Sequence, residues 1–453
     1  MSTLLGIDLG TSAIKLLVRH SDGRVEKSRA AYESITPEGW LSALVRAAKA
    51  LDLTKVDAVG LSSQVGTFIV DRTHVVPWNG SAGLTELTRI KSEFTRDEFI
   101  ANIGMAHPDM VSYPIPRLMH FAKAFPGFRE VCMPKELLAE YLTGEYVSDM
   151  YSWRGLADLE NCRYSPFFMD YLRKNCGDFA LPPLIPHAAM AGRITAAAAR
   201  GLGLREGTPV CTGCNDFFAA LIGAGVRREG DMFDITGTSE HLGGIGEKLL
   251  DDANLISGRY FRGFVRYGVT ASSGPSLDYA LSLHPGPLDS DAIHRESAPV
   301  FLPYVNGERC PVCDPMARGV MFGIGPGCTH EQMAYSVMEG VCFNLRMISE
   351  KLDMPSAPVI ACGGAAKNPM LNQLKADILG RTILAIDEPD ASALGAAYIA
   401  GMGSGEFSSI EHLPAPGVIA EYTPSSAYDF SRRYNTFRNL YPALKNTFPL
   451  LHP

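Results

Sequence analysis

No run of apolar residues in this 453-residue chain approaches the roughly 20 positions needed to span a bilayer, so a membrane protein is excluded as an expectation. Nor is there a cluster of Lys and Arg. With 41 basic against 49 acidic residues the formal net charge is −8, which argues against a nucleic-acid-binding surface. A basic leader is missing too, since Asp8 follows the initiating segment almost at once, and a cytoplasmic protein is expected. Low-complexity tracts are absent. The ten cysteines lack the close spacing of a zinc ribbon: Cys211/Cys214 and Cys310/Cys313 are C-x-x-C pairs, but they stand about a hundred positions apart. Free thiols in a reducing compartment are the expectation.

What the chain does have is an echo. Asp8-Leu9-Gly10-Thr11-Ser12 follows the apolar run Leu4-Leu5-Gly6-Ile7, and Asp234-Ile235-Thr236-Gly237-Thr238-Ser239 follows Met232-Phe233 half a chain later. A Gly-Thr turn leaving a strand presents backbone N–H groups and a hydroxyl together, a combination suited to phosphate oxygens. The length asks for two cores, and one shared opening pattern reads as a duplicated domain. The glycine- and charge-bearing segment 223–230 marks the boundary, giving residues 1–225 and 226–453.

Periodicity fills in the rest. Residues 13–19 read as a second strand, Ser21-Asp22-Gly23-Arg24 as a hairpin turn, and Trp40, Leu41, Leu44, Val45, Ala48 and Leu51 as a helical stripe. Residues 56–61 and 68–70 read as strands, and Leu137, Leu138, Tyr141 and Leu142 as a helical face closed by Gly144. A strand and turn at 209–213 lead into a helix beginning near Asn215 and Asp216. Helices are expected again over 332–346, 371–379 and 392–402, with a buried strand at 359–362. The fold class is α/β.

Three acids and turns carry candidate chemistry. Asp8, at a strand end beside a phosphate-type turn, suits Mg²⁺ held through its water shell, or caps the turn. Asp216 is a helix N-cap, or a carboxylate that takes a proton from a substrate hydroxyl. Gly363-Gly364 after a strand lets another molecule approach the backbone, or is simply a turn.

In this order the motifs resemble the FGGY carbohydrate kinases of the actin/hexokinase/Hsp70 superfamily. Residues 6–15 resemble the family's first phosphate loop, and 207–216 the stretch holding its catalytic aspartate. The run 306–319 resembles its long C-domain loop, and 319–339 its C-terminal signature. Gly363-Gly364-Ala365-Ala366-Lys367-Asn368 and Leu394-Gly395-Ala396-Ala397 resemble its adenosine-side elements, and 441–445 the ending of xylulose kinases. The resemblance implies two duplicated actin-like (ribonuclease H-like) domains with a central cleft. The first would carry the sugar side and the first phosphate loop, and the second the other phosphate loop and the adenosine side. It implies ATP and Mg²⁺, with Asp216 as general base and Asp8 on the metal. Gly10, Thr11, Ser12, Lys15, Gly237 and Thr238 would lie on the phosphates, and Gly363, Gly364, Ala365 and Asn368 along the nucleotide. Lys15 is equally read as an exposed strand lysine.

On the sugar side the chain departs from the pattern. Xylulose kinases show Gln-Met-His-Gly where this sequence has Gln64-Val65-Gly66, and a Trp-x-Asp-x-Arg-like segment where it has Trp78-Asn79-Gly80-Ser81. Gln64, Val65 and Trp78 remain the substrate-facing candidates, with His107, Asp109 and His241 as spare polar groups. The expected activity is transfer of the γ-phosphate of ATP to a small sugar, a ketose such as xylulose, or another ketose or polyol. The rival is a nucleotide-switched binding protein of the same superfamily, and a third reading keeps ATP binding without a sugar. Sugar and ATP are the expected partners, without nucleic acid or membrane, and a homodimer is an open expectation for the assembly.

Overall fold

The computed structural model describes residues 2–105, 110–237, 239–286, 288 and 293–451. The chain divides into two compact units, Met1–Gly225 with Asp390–Ala415, and Val226–Pro389 with Pro416–Pro453.

In the first unit the strand Leu4–Leu9 is buried along its whole length and sits mid-sheet. It pairs antiparallel with Ala13–Arg19, which pairs with Val25–Ala31, and parallel with Ala58–Ser63 on its other side. Pro209–Asn215 continues the parallel set and Met190–Arg193 closes the edge. The hairpin turn is the expected one, with Gly23 at φ 89°. One face of the sheet carries Leu5, Ile7 and Ile14 against Ala43, Leu44 and Ala47 of the helix Pro37–Ala48. That helix starts where Thr36 caps it, its side chain accepting from the Gly39 N–H, with Pro37 in the first turn.

The second unit repeats the plan. Met232–Thr236 pairs antiparallel with Glu240–Gly246, which pairs with Phe264–Val269, while Val359–Gly363 and Ile383–Ile386 add in parallel. An antiparallel hairpin feeding a parallel extension, twice, is the structural form of the sequence echo.

The echo is not in register, however. Asp8 stands two residues before its Gly10, whereas Asp234 stands three before Gly237. Side chains alternate along a strand, so the one-residue offset sends the two acids to different faces relative to their turns. Asp8 shares its face with Gly6 and meets the helix Ala391–Gly403. Asp234 shares its face with Met232, which packs with Val341 and Leu345, and its carboxylate meets Lys375.

The helix Ala391–Gly403 belongs to the first unit, although it falls within the 226–453 half expected to form the second domain. It is apolar on all sides, so its pattern names no partner. Close approach decides instead: a Cβ on Gly6 would lie 1.8 Å from the Ala393 carbonyl oxygen, and one on Gly60 1.9 Å from that of Ala396. Only bare backbone permits that packing. Among the described residues no helix is long and apolar enough to cross a membrane.

Candidate functional site

Asp8, next to last in the strand Leu4–Leu9, is almost fully buried, with 3% of its surface exposed. The Ser62 hydroxyl donates to Oδ1 at 2.9 Å and that of Ser392 to Oδ2 at 2.6 Å. Burial pushes the carboxyl above its usual range, while the two hydroxyls and Lys15 pull it back. Lys15 lies across the strand pair from Asp8, but its Nζ is 3.2 Å from Asp390, which also receives Lys27 at 3.6 Å. The structure thus commits Lys15 to a carboxylate of its own unit. Gly10 begins the turn with its N–H on the Ala13 carbonyl, and the Tyr32 hydroxyl donates to the Gly10 carbonyl at 3.0 Å. Thr11 and Ser12 are exposed at the tip.

The strand Pro209–Asn215 delivers Asp216 to the first turn of the helix Asp216–Ala224. The capping reading of Asp216 fails here, because Asn215 is the cap: its side chain accepts from the Phe218 N–H at 2.9 Å. Asn215 is itself fixed, donating to the Tyr151 carbonyl at 2.7 Å. The Asp216 carboxylate is therefore left free of the cap, half-buried, with the Phe217 N–H on Oδ1 at 2.9 Å. Burial, reinforced by the negative charge of Asp8, pushes its carboxyl up to about 7, against the pull of the Phe217 and Val65 amides. A buried carboxylate raised further by a neighbouring one fits chemistry in which it takes up a proton near neutrality.

The segments that follow the strand Ala58–Ser63 form a short relay. The Gln64 N–H donates to the Leu9 carbonyl at 2.8 Å, and the Gln64 side chain accepts from Thr67 at 3.2 Å. The Trp78 N–H donates to Thr67 at 3.2 Å, and its indole Nε1–H donates to the Thr11 hydroxyl at 3.2 Å. Gln64, Trp78 and Thr11 are thereby joined in one chain of hydrogen bonds, with Val65 half-buried beside Gln64. Arg117, fully buried, secures the segment by donating to the Pro77 and Trp78 carbonyls at 2.9 and 3.2 Å. Burial without a counter-charge pushes its guanidinium down to about 10.

In the second unit Thr236 and Gly237 line a cavity of about 640 Å³ together with Gly364, Ala365 and Asn368. Asn368 caps the helix Pro369–Leu379 through the Leu371 N–H at 3.1 Å. Gly363 stands behind the cavity at φ 97°, and a Cβ there would lie 2.1 Å from the Thr236 carbonyl oxygen. Gly364 is its opposite: nothing lies within 4 Å of the corresponding position. Thr238, His107 and Asp109 lie outside the described residues. His241 is half-buried, its imidazole pushed down to about 4 by burial and Arg309.

Sequence reasoning missed Ser62 and Ser392 on Asp8, Tyr32 on Gly10, and Asp278, His284 and Met338 in the cavity wall. Met338 lies within the 319–339 signature but carried no site signal there; the others sit in no spaced motif, and only the strand-end position of Ser62, opposite Asp8 in the parallel pair, offered one. Cys211 and Cys214 are buried in the first unit, while Cys310 and Cys313 lie in the second, and all ten cysteines are free. Among the described residues no three His, Cys, Asp or Glu side chains gather as a metal-binding group.

Comparison with known proteins gives these features a family. Residues 3–223 match the N-terminal domain, and residues 235–404 the C-terminal domain, of the FGGY family of carbohydrate kinases. The chain is 28% identical to the xylulose kinase of Escherichia coli (strain K12), over 97% of this chain and 99% of that protein. It is 23% identical to the gluconokinase of Bacillus subtilis (strain 168), over 99% of this chain and 97% of that protein. The ligand-bound xylulose kinase structure from Lactobacillus acidophilus superposes with a TM-score of 0.87 at 20% identity, covering 100% of both chains. The fold is that of the sugar kinases, and the chain belongs to the FGGY family of carbohydrate kinases.

Proposed function

We propose that this kinase transfers the γ-phosphate of ATP to a hydroxyl of a ketose, with xylulose the leading substrate and Asp216 the general base. The observation that carries the reading is the state of Asp216: released from capping by Asn215 and pushed up to about 7 beside Asp8. Phosphoryl transfer leaves little covalent work for the protein, so positioning and charge stabilisation dominate. Asp216 accepts the proton of the attacking hydroxyl. Thr11 and Ser12 offer their hydroxyls to phosphate oxygens, while Gly10 and Gly237, whose N–H groups close their own turns on the Ala13 and Ser239 carbonyls, leave the backbone bare for close approach. The cavity of the second unit takes the nucleoside along Gly364, Ala365 and Asn368.

Asp8 fits a Mg²⁺ ion held through water. Both its oxygens already accept a serine hydroxyl, and no group of three ligating side chains surrounds it among the described residues. That suits a cation which retains much of its hydration and shares it with phosphates. When bound, it would neutralise charge on the phosphates. Use of ATP as donor places the enzyme in the cytoplasm in this reading.

A different ketose, a polyol or an aldonate is the second reading. It rests on the neutral Gln64-Val65 and Trp78-Asn79 segments, which offer no charged partner for substrate hydroxyls. ADP release by the purified protein across ketoses, aldoses, polyols and aldonates tests both. D-xylulose is expected to give the highest kcat/KM; a tenfold preference for another acceptor replaces xylulose, and no stimulation by any acceptor removes the kinase reading.

The same base makes a pH prediction. The limb of kcat/KM reports the free enzyme, so activity should fall tenfold per pH unit below about 7. A profile flat between pH 5.5 and 8 would mean that Asp216 does not carry the proton.

A further inference from the structure

Directly behind the Thr236–Gly237 turn lies a buried ionic network that the proposed chemistry does not use. The Lys375 ammonium, wholly buried, donates to Asp234 Oδ2 at 2.5 Å and Glu240 Oε1 at 2.6 Å. The Thr236 hydroxyl donates to the same Glu240 oxygen at 2.9 Å and lies 3.4 Å from Lys375 Nζ. From Glu240 the network continues through its N–H to the Thr270 hydroxyl at 3.1 Å, and from Thr270 to the Ser273 hydroxyl at 2.8 Å.

These residues come from several elements, Asp234 and Thr236 sharing the strand Met232–Thr236, and three of those elements wall the cavity. Thr236 ends the strand that leads into Gly237. Ser273 opens the helix Ser273–Leu283, which contributes Gly274, Pro275 and Asp278 to the lining. Lys375 lies one and a half turns along the helix Pro369–Leu379, whose cap Asn368 and first residues form the opposite lining. One network, charge-assisted around Lys375 and Glu240 and continued by neutral bonds through Thr270 to Ser273, thus ties together three cavity walls.

Stability does not account for such a network. Desolvating charged groups is costly, and well-packed apolar residues of similar volume commonly serve as well or better. Directional bonds do what apolar packing cannot: they fix the orientation of Thr236 and hence of the turn it begins. Burial and the neighbouring Glu240 push Asp234 up, while Lys375 overrides burial and holds Glu240 low, so the network keeps its charge close to balance.

We infer that Lys375, Asp234 and Glu240 are positioning residues that preform the nucleotide cavity by locking the Thr236–Gly237 turn to the capped start of the helix Pro369–Leu379. The inference rests on the reading of that cavity as the nucleotide site.

The test is calorimetric titration of the full-length protein with ADP, alongside the KM of the sugar acceptor. The triple variant Asp234→Leu/Glu240→Leu/Lys375→Met replaces the network with apolar side chains. It should remain folded, lose ADP affinity at least tenfold and keep the acceptor KM within twofold. Should the triple variant fail to fold, Asp234→Asn keeps the shape and the Lys375–Glu240 pair, and should weaken ADP about threefold. ADP affinity within experimental error of the parent in the folded variant overturns the inference, as does an equal loss in acceptor KM. Gly364→Phe separates this from the underlying reading: it fills open cavity space without touching the network. If Gly364→Phe binds ADP as tightly as the parent, the cavity is not the nucleotide site and the inference falls with it.

Discussion

Asp216→Asn should reduce turnover about a thousandfold while leaving ADP binding intact, within the range expected for loss of a positioned general base. The substitution is nearly isosteric, and Asn215 retains the helix cap, so local structure is preserved. Stability should move the other way. The folded protein holds the Asp216 proton up to about 7, whereas the unfolded chain releases it near the ordinary aspartate value of 3.8. Between those limits the folded state binds the extra proton, so this group's contribution to stability falls as pH rises. Above about pH 7 the parent carries an ionised, half-buried carboxylate facing Asp8, which the asparagine removes. The variant should therefore gain about 2 kcal/mol at pH 8, discounted for partial exposure, and close to nothing at pH 4. Denaturation at the two pH values, with turnover measured beside it, checks both halves. Near-parental turnover would remove Asp216 from the base role, and a variant less stable at pH 8 would contradict the electrostatic account.

Adjacent glycines should give opposite results. Gly363→Ala is expected to cost about 3–5 kcal/mol, because the new Cβ meets the Thr236 carbonyl and the backbone holds a positive φ. Neither problem is relieved by moving a flexible side chain, since the obstacle is the strand that ends in the phosphate-type turn. A Cβ on Gly364 meets no atom within 4 Å and the residue is not at positive φ, so in Gly364→Phe the ring is directed into open space and thermal stability should stay close to that of the parent. Its ring would occupy the space lined by Ala365 and Asn368, and ADP binding should be lost. A stable Gly363→Ala protein would refute the close approach; a Gly364→Phe protein with normal ADP affinity would take the nucleotide out of this cavity.

Much of the local structure was legible because it rests on local rules. Leu138 and Leu142 face the core on a helix that Gly144 closes at φ 79°, and Gly380 closes the helix Pro369–Leu379 in the same left-handed conformation. The strand–turn–helix context of Asp216 was also visible. Choosing between Asn215 and Asp216 as the cap was not, since both residue types cap equally well and only the backbone decides.

Long-range choices were hidden for physical reasons. The helix Ala391–Gly403 has no polar face, so its place in the first unit is set by the bare backbone of Gly6 and Gly60 hundreds of residues away. Ser392 reaches Asp8 only as a consequence of that packing. The repeated acid looked equivalent in the two halves. One added residue before Gly237 turned Asp234 to the opposite face, and its partner Lys375 lies 141 positions along the chain. The paired Gly-Thr turns therefore share a plan but not a role for the acid that precedes them.

The central claim is transfer of phosphate to a sugar hydroxyl, and following γ-³²P-ATP in a single turnover with xylulose tests it most directly. The account predicts label in a sugar monophosphate, with formation slowed about a thousandfold by Asp216→Asn. Label appearing only as inorganic phosphate, at a rate indifferent to both sugar and Asp216, would contradict it.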